Sequence, residues 1–386
     1  MLTGLFQHIY SVGVAASVII AVLLALVVFK TNSNKNPLQT LLSFILITFA
    51  LSSAFNSLIA IYLAKTQPST HSLSEPFQLL IGPLYFLYLC HLNKKKLSVF
   101  KLALHFVPFV VIALFLLLAV SQQFQFSQTN WLAFATYIQV WFYYIICRKL
   151  LRKYQVQLKA SCSSIDKINE VWIEQSLFAL LFGYTALTLV FALNHGLYEL
   201  PVNKSIAVIL SLVSYFIIYK ILRRPEIFAQ SPLYSTVEHI DSQPIVLEEI
   251  RQVADDSDNT KYKKSSLTAE QIQHTYYLLQ QHMEKEKPFI DPELNLQSLA
   301  KQLQLSAHHL SQVINHDQSS SFYDLINSYR IIEVKKQLID PRNSERSILA
   351  IAFDAGFNSK ATFNRIFKNT VQQTPSQYRK SNTKTI

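Results

Sequence analysis

The chain has 386 residues, of which 50% are hydrophobic and only 15% are charged, and its formal net charge is +11. Together with a mean hydropathy of +0.22, this composition favours a membrane protein over a soluble one. The three cysteines share no short spacing, which argues against a disulfide framework or a zinc site, so we expect no metal and no cofactor.

Apolar residues are concentrated in seven segments before residue 223. Most of these segments approach the ~20 residues that a helix needs to cross ~30 Å of hydrocarbon. The third segment is short and contains Gly82-Pro83. Because a backbone in lipid must satisfy its own hydrogen bonds, we expect helices. The segments are Ile9–Phe29, Leu38–Leu63, Phe77–Leu92, Leu102–Val120, Trp131–Cys147, Glu174–Leu193 and Val202–Leu222.

Lysine and arginine fall in alternate connections between these segments. The connections after the first, third, fifth and seventh segments are rich in them, whereas the other side carries only Lys65 and Lys204. Positive charge stays in the cytoplasm, so the N-terminus is predicted outside and the chain after Leu222 inside. A cleaved signal peptide is disfavoured, since no basic residue precedes Lys30. We therefore expect a multi-pass membrane protein.

The next 42 residues, 225–266, lack apolar periodicity and are interpreted as a cytoplasmic linker. A helix is predicted to begin after Thr268, a favourable N-cap, and to end before Pro288. Residues 267–386 form the predicted domain that follows the linker. The chain is thus divided into a membrane domain (1–224), a linker and a second all-α domain.

An internal repeat occurs in this last domain, at about 296–315 and 348–368. Each copy has an apolar helix pattern with a small residue, Ala300 or Ala352, then a turn and an i, i+4 apolar pair. Leu310 and Ile314 of the first copy correspond to Phe363 and Phe367 of the second. This is the pattern of a helix-turn-helix, and two copies make the prediction stronger.

The side chains left pointing away from each predicted core are candidates for DNA contact. Asn, Gln and Arg can form paired hydrogen bonds to base edges in the major groove, and Lys and Arg neutralise phosphate. From residue 345 onward there are seven basic residues and two acidic ones. The candidates are Ala307, His308, Ser311, Gln312 and Asn315 in the first copy, and Lys360, Ala361, Asn364, Arg365 and Lys368 in the second.

The runs LSQVIN…FYDLINSYRI, SILAIAFDAGFNSKATFNRIFK and TPSQYR resemble the double helix-turn-helix domain of AraC-type transcription regulators. GPLYFLY, HFVPF and PEIF resemble, more loosely, membrane-embedded members of that family. The resemblance implies that the helices beginning near Ala307 and Lys360 enter successive major-groove segments of one duplex. Ser319 and Gln372 stand where the family commonly has glycine.

These observations predict an all-α protein in which a seven-helix membrane sensor carries an AraC-type DNA-binding domain. Its expected partners are double-stranded promoter DNA, the lipid bilayer and a small-molecule or protein signal at the membrane domain, and a homodimer is left open. No catalytic cluster is visible, so an enzyme is not expected. The alternative is a transporter or receptor-like membrane protein with a regulatory tail; proteolytic release at the linker also stays open.

Overall fold

The computed structural model describes residues 2–31, 36–62, 75–95, 97–121, 130–165, 171–193, 202–223, 267–318 and 321–383. Within these ranges all regular secondary structure is helical, apart from an isolated antiparallel bridge between Cys162 and Asn295. The predicted linker at 225–266 and Ser319 lie outside the described residues. The chain divides into two compact units. The N-terminal unit is Met1–Tyr154 with Glu170–Gln230, and the C-terminal unit is Gln155–Asn169 with Ser231–Ile386.

Seven helices account for the regular structure described before residue 224. In the parts that are described, each predicted apolar segment lies within one of them. The helices are α1 (Leu2–Thr31), α2 (Pro37–Tyr62), α3 (Glu75–Leu92), α4 (Val99–Ser121), α5 (Asn130–Ser161), α6 (Val171–Leu193) and α7 (Val202–Leu222).

Two of these helices contain stretches long and apolar enough to cross a membrane, Ser11–Lys30 in α1 and Pro37–Phe55 in α2, among the residues described. A buried core helix or an N-terminal signal sequence would satisfy the same criteria. Helices therefore occur where they were predicted, but seven membrane crossings are not shown.

Helix α5 is longer than its apolar segment. The segment was predicted to end at Cys147, whereas the helix continues to Ser161. The added stretch, RKLLRKYQVQLKAS, is rich in residues of high helix propensity and contains no proline or glycine. Nothing in it stops the helix, so the basic connection predicted there begins as helix.

Buried hydroxyl groups connect three helices of the N-terminal unit. Ser17 of α1 donates to Ser211 of α7 over 3.0 Å, and the hydroxyls of Ser211 and Ser53 of α2 lie 2.9 Å apart. A small polar side chain lets two helices approach closely while its hydroxyl is satisfied across the interface. The three serines thus fix the contact of α1, α2 and α7.

Helices of the C-terminal unit form two helix-turn-helix motifs joined by one long helix. The first motif is α9–α10 and the second is α12–α13. The helices are α8 (Ala269–Lys285), α9 (Leu296–Gln302), α10 (Ala307–Gln318), α11 (Phe322–Ile339), α12 (Ile348–Asp354), α13 (Lys360–Val371) and α14 (Pro375–Thr383), with 3₁₀ turns at Pro288–Ile290 and Pro341–Asn343.

Local capping explains where several of these helices start. The hydroxyl of Thr268 accepts from the amide of Gln271, whose side chain accepts from the amide of Thr268, as expected for the predicted N-cap. Asn295 caps α9 with Ser298 in the same way. Each cap satisfies amides that a helix leaves unpaired at its first turn.

Helix α11 serves two hydrophobic cores. Its first half packs Phe322, Leu325 and Ile326 into the core of the first motif, and its second half packs Val334 and Leu338 into that of the second. Most apolar positions of the sequence repeat are buried as predicted, including Ala300, Ala352, Leu310, Ile314, Phe363 and Phe367, whereas Leu303 and Ile348 are half-buried.

The guanidinium of Arg330 lies on α11 between the two cores and is 1% exposed. Its Nε donates to the carbonyl oxygen of Phe289 over 2.8 Å, and Nη2 donates to that of Asp291 over 2.8 Å. Burial lowers the pKa of this side chain to about 10, which still leaves it charged at neutral pH. A buried cation of this kind is stable only while oxygen atoms surround it.

The turn of the second motif passes directly over this arginine. Gly356 has φ of 94°, a conformation that favours glycine. A Cβ atom there would lie 2.4 Å from the carbonyl oxygen of Phe289 and 2.9 Å from Nε of Arg330. Both the backbone angle and the close approach therefore require a residue without a side chain.

Gly356→Ala is expected to destabilise the second motif by about 3 kcal/mol, because it adds a steric clash to an unfavourable φ. Hydrogen exchange measured by mass spectrometry should accelerate about 100-fold in peptides covering 348–371. Gln372→Ala is the matched control, since Gln372 also has a positive φ of 60° but already carries a Cβ. Unchanged exchange in Gly356→Ala would contradict the packing described for this turn.

Candidate nucleic-acid interface

Helix α13 presents a polar face opposite its buried phenylalanines. The hydroxyl of Ser359 caps the helix by accepting from the amide of Thr362. Phe363 and Phe367 are buried with ring centroids 5.7 Å apart, and they fix the rotation of the helix. The five residues predicted to face DNA in this copy are all exposed: Lys360, Ala361, Asn364, Arg365 and Lys368.

The exposed face of α13 has the donors and charges that DNA recognition uses. Nη2 of Arg365 donates to the hydroxyl of Tyr323 on α11 over 3.2 Å, which orients the guanidinium. Asn364, one residue earlier, offers an amide that can both donate and accept at a base edge. Lys360 and Lys368, near the two ends of the helix, add positive charge for phosphates.

The corresponding face of α10 is less accessible. Asn315 is exposed, while Ala307, Ser311 and Gln312 are half-buried. His308 is only 9% exposed, so it does not point into solvent as the pattern predicted. Its position on the helical wheel lies opposite Leu310, and its burial therefore comes from tertiary neighbours that periodicity does not contain.

Two basic residues near the second motif are engaged within the fold. Arg346 forms an ion pair with Asp354, and Nη1 of Arg379 donates to the carbonyl oxygen of Arg346 over 2.8 Å. Arg379 also donates to the carbonyl oxygen of Asn343. These side chains contribute to the positive potential of the domain, but part of their hydrogen-bonding capacity is used within the fold. The sequence count of basic residues therefore overestimates the number available for phosphate contacts.

Comparison with known proteins finds similarity in this part of the chain. Residues 299–381 match the family model described as a helix-turn-helix domain. The regulatory protein SoxS of Escherichia coli strain K12 is 33% identical over 90 residues, which cover 23% of this chain and 81% of SoxS.

Two further similarities are with proteins other than this relative. An uncharacterized HTH-type transcriptional regulator of Staphylococcus aureus strain COL is 34% identical over 87 residues, which cover 22% of this chain but only 11% of that protein. A solved structure of a protein of unknown function from Listeria innocua is 27% identical, covering 28% of this chain and 94% of that one, with a TM-score of 0.23.

Lys368→Ala is expected to weaken DNA binding similarly on all sequences and to reduce the slope of log K against log salt by about 1, because one phosphate contact is lost. Fluorescence anisotropy over a salt series would measure both effects. Lys285→Ala is the control, since Lys285 is exposed on α8, outside both motifs. An equal slope in wild type and Lys368→Ala would show that Lys368 does not contact a DNA phosphate.

Proposed function

Because the chain belongs to the AraC-type family of helix-turn-helix transcription regulators, we propose that it regulates transcription from the bacterial inner membrane. In this proposal the C-terminal unit reads promoter DNA in the cytoplasm. The N-terminal unit anchors the chain in the bilayer by seven helices and receives a small-molecule or protein signal. The chain covers only 11% of the Staphylococcus relative, so the function of that whole protein is not transferred.

The exposed face of α13 is the observation that carries the DNA-binding part of the proposal. Asn364 and Arg365 provide paired hydrogen bonds for base edges, and Lys360 and Lys368 provide charge for the backbone. Helix α10 exposes Asn315 and His316, and it has no Lys or Arg among the predicted contacts. We therefore assign most of the affinity to α13 and a smaller share to α10.

Outward-facing apolar residues support the membrane part of the proposal. On α1, Leu23 and Leu26 are both 57% exposed, whereas the small residues Ala21 and Ala25 are buried. Large apolar residues are also exposed on α4, among them Leu104, Val107, Val111 and Leu114. Soluble proteins rarely expose continuous apolar faces of this extent, but lipid provides a favourable environment for them.

Charge placement provides further support for the orientation. Arg148 and Glu174 form an ion pair at 3.1 Å, and Lys149, Arg152 and Lys153 follow on α5. Under the positive-inside rule this end of α5 lies in the cytoplasm. That is the compartment in which the proposed regulator meets DNA.

Chromatin immunoprecipitation of the tagged full-length chain tests the DNA-binding function and its residues together. We expect discrete promoter peaks for wild type and for the control Lys285→Ala, and their loss in Arg365→Ala and Asn364→Ala, because a lost bidentate base contact costs about 1–3 kcal/mol. Peaks that persist in both α13 variants would show that a surface other than α13 recognises the bases. Absence of peaks in wild type would reject the regulator function.

Fusion reporters at the carboxyl end test the topology. A green fluorescent reporter should be bright and alkaline phosphatase inactive, because an odd number of crossings from an outside N-terminus ends in the cytoplasm. A fusion after Lys204 should give the reverse result. An active phosphatase at the carboxyl end would contradict the proposed topology.

A further inference from the structure

The segment that follows α5 packs within the C-terminal unit, against residues that lie much later in the sequence. Cys162 forms an antiparallel bridge with Asn295, and the amide of Ser163 donates to the carbonyl oxygen of Leu294 over 3.2 Å. Cys162 and Ile165 are buried, and Ser163 is 1% exposed. The segment, residues 162–165, is therefore largely enclosed, with only Ser164 half-buried.

Ser163 supplies oxygen atoms to the buried arginine of α11. Nη1 of Arg330 donates to the carbonyl oxygen of Ser163 over 3.2 Å, and Nη2 donates to its hydroxyl over 3.1 Å. The side-chain amide of Asn327 donates to the same carbonyl over 3.3 Å. Together with the carbonyl oxygens of Phe289 and Asp291, these atoms surround the guanidinium of Arg330 with hydrogen-bond acceptors. Without Ser163, the buried charge would lose two acceptors.

The segment also reaches the second motif. The hydroxyl of Ser164 donates to the side-chain oxygen of Asn358, directly before the N-cap of α13, over 3.0 Å. Just before the segment, Nζ of Lys159 in the last turn of α5 lies 5.9 Å from the ring centre of Tyr323, whose hydroxyl accepts from Arg365. One short peptide thus contacts the start of α9, the middle of α11 and the approach to α13.

We propose that residues 162–165 are an internal docking element, whose binding between the two helix-turn-helix motifs holds them in the pose that binds DNA. This inference rests on the proposed DNA-binding function and assigns its regulation. Two reading helices meet one duplex together only if their relation is fixed, and fixing it in advance lowers the entropic cost of binding. The element directly continues α5, which runs unbroken from Asn130 to Ser161, so any rearrangement of α5 would act on it.

The first test is DNA affinity of the purified full-length chain, measured by anisotropy with labelled double-stranded fragments recovered by immunoprecipitation of wild type. In Ser163→Leu the larger side chain cannot fit its enclosed position, and the loss of charge-assisted hydrogen bonds should weaken binding at least about tenfold. Ser161→Leu, at the half-buried end of α5, should bind within about twofold of wild type. Equal or tighter binding by Ser163→Leu would overturn the inference.

A cysteine pair tests docking without relying on a variant that could fail to fold. Ser164→Cys with Asn358→Cys should form a disulfide under mild oxidation, detected by mass spectrometry, and the oxidised protein should bind the fragments at least as tightly as wild type. The native cysteine nearby should not interfere, because burial raises the pKa of the Cys162 thiol to about 11. Each single-cysteine variant is a control.

The outcomes separate the two proposals. Failure of the disulfide to form, or loss of binding when it forms, would overturn the docking element while wild-type DNA binding remained. If wild type bound no DNA fragment at low salt, the proposed function itself would fail, and the inference with it.

Discussion

The C-terminal unit depends on a buried positive charge that must be surrounded by oxygen atoms. Arg330 stands at the middle of α11, between the core of the first motif and that of the second, with almost no exposure to water. Its donors are satisfied by carbonyl oxygens of Phe289 and Asp291 and by Ser163. Moving any of these would leave a charge uncompensated, so the guanidinium ties together chain segments that are distant in sequence.

This constraint determines the geometry of the second motif. The turn before α13 passes within contact distance of Arg330 and of the carbonyl oxygen of Phe289, to which the arginine donates. Only a glycine, Gly356, fits at this point of the turn. From that turn Ser359 starts α13, and Phe363 and Phe367 set its rotation. The exposed polar face is therefore a consequence of how the turn and the core are packed.

The two motifs have similar cores but different surfaces. On α10 of the first motif, Asn315 and His316 are exposed and His308 is buried, whereas α13 of the second carries exposed Asn364, Arg365 and Lys368. In a DNA-binding domain of this form, affinity and base reading would be concentrated in one helix. The other motif would contribute mainly by fixing the position of the domain on the DNA. A change in the relative orientation of the two motifs would then change DNA affinity.

Periodicity and capping chemistry were enough to predict the helices, the repeat, the Thr268 cap and the buried pairs such as Leu310 with Ile314, because each depends on residues within a few turns. The exposed face of α13 followed from the same local pattern. Tertiary contacts decided what local patterns cannot contain: the burial of His308, the engagement of Arg379 by backbone carbonyls and the contact of Ser163 with Arg330. That last pair is separated by 167 residues, so no period or motif relates them, and only the folded chain brings them together.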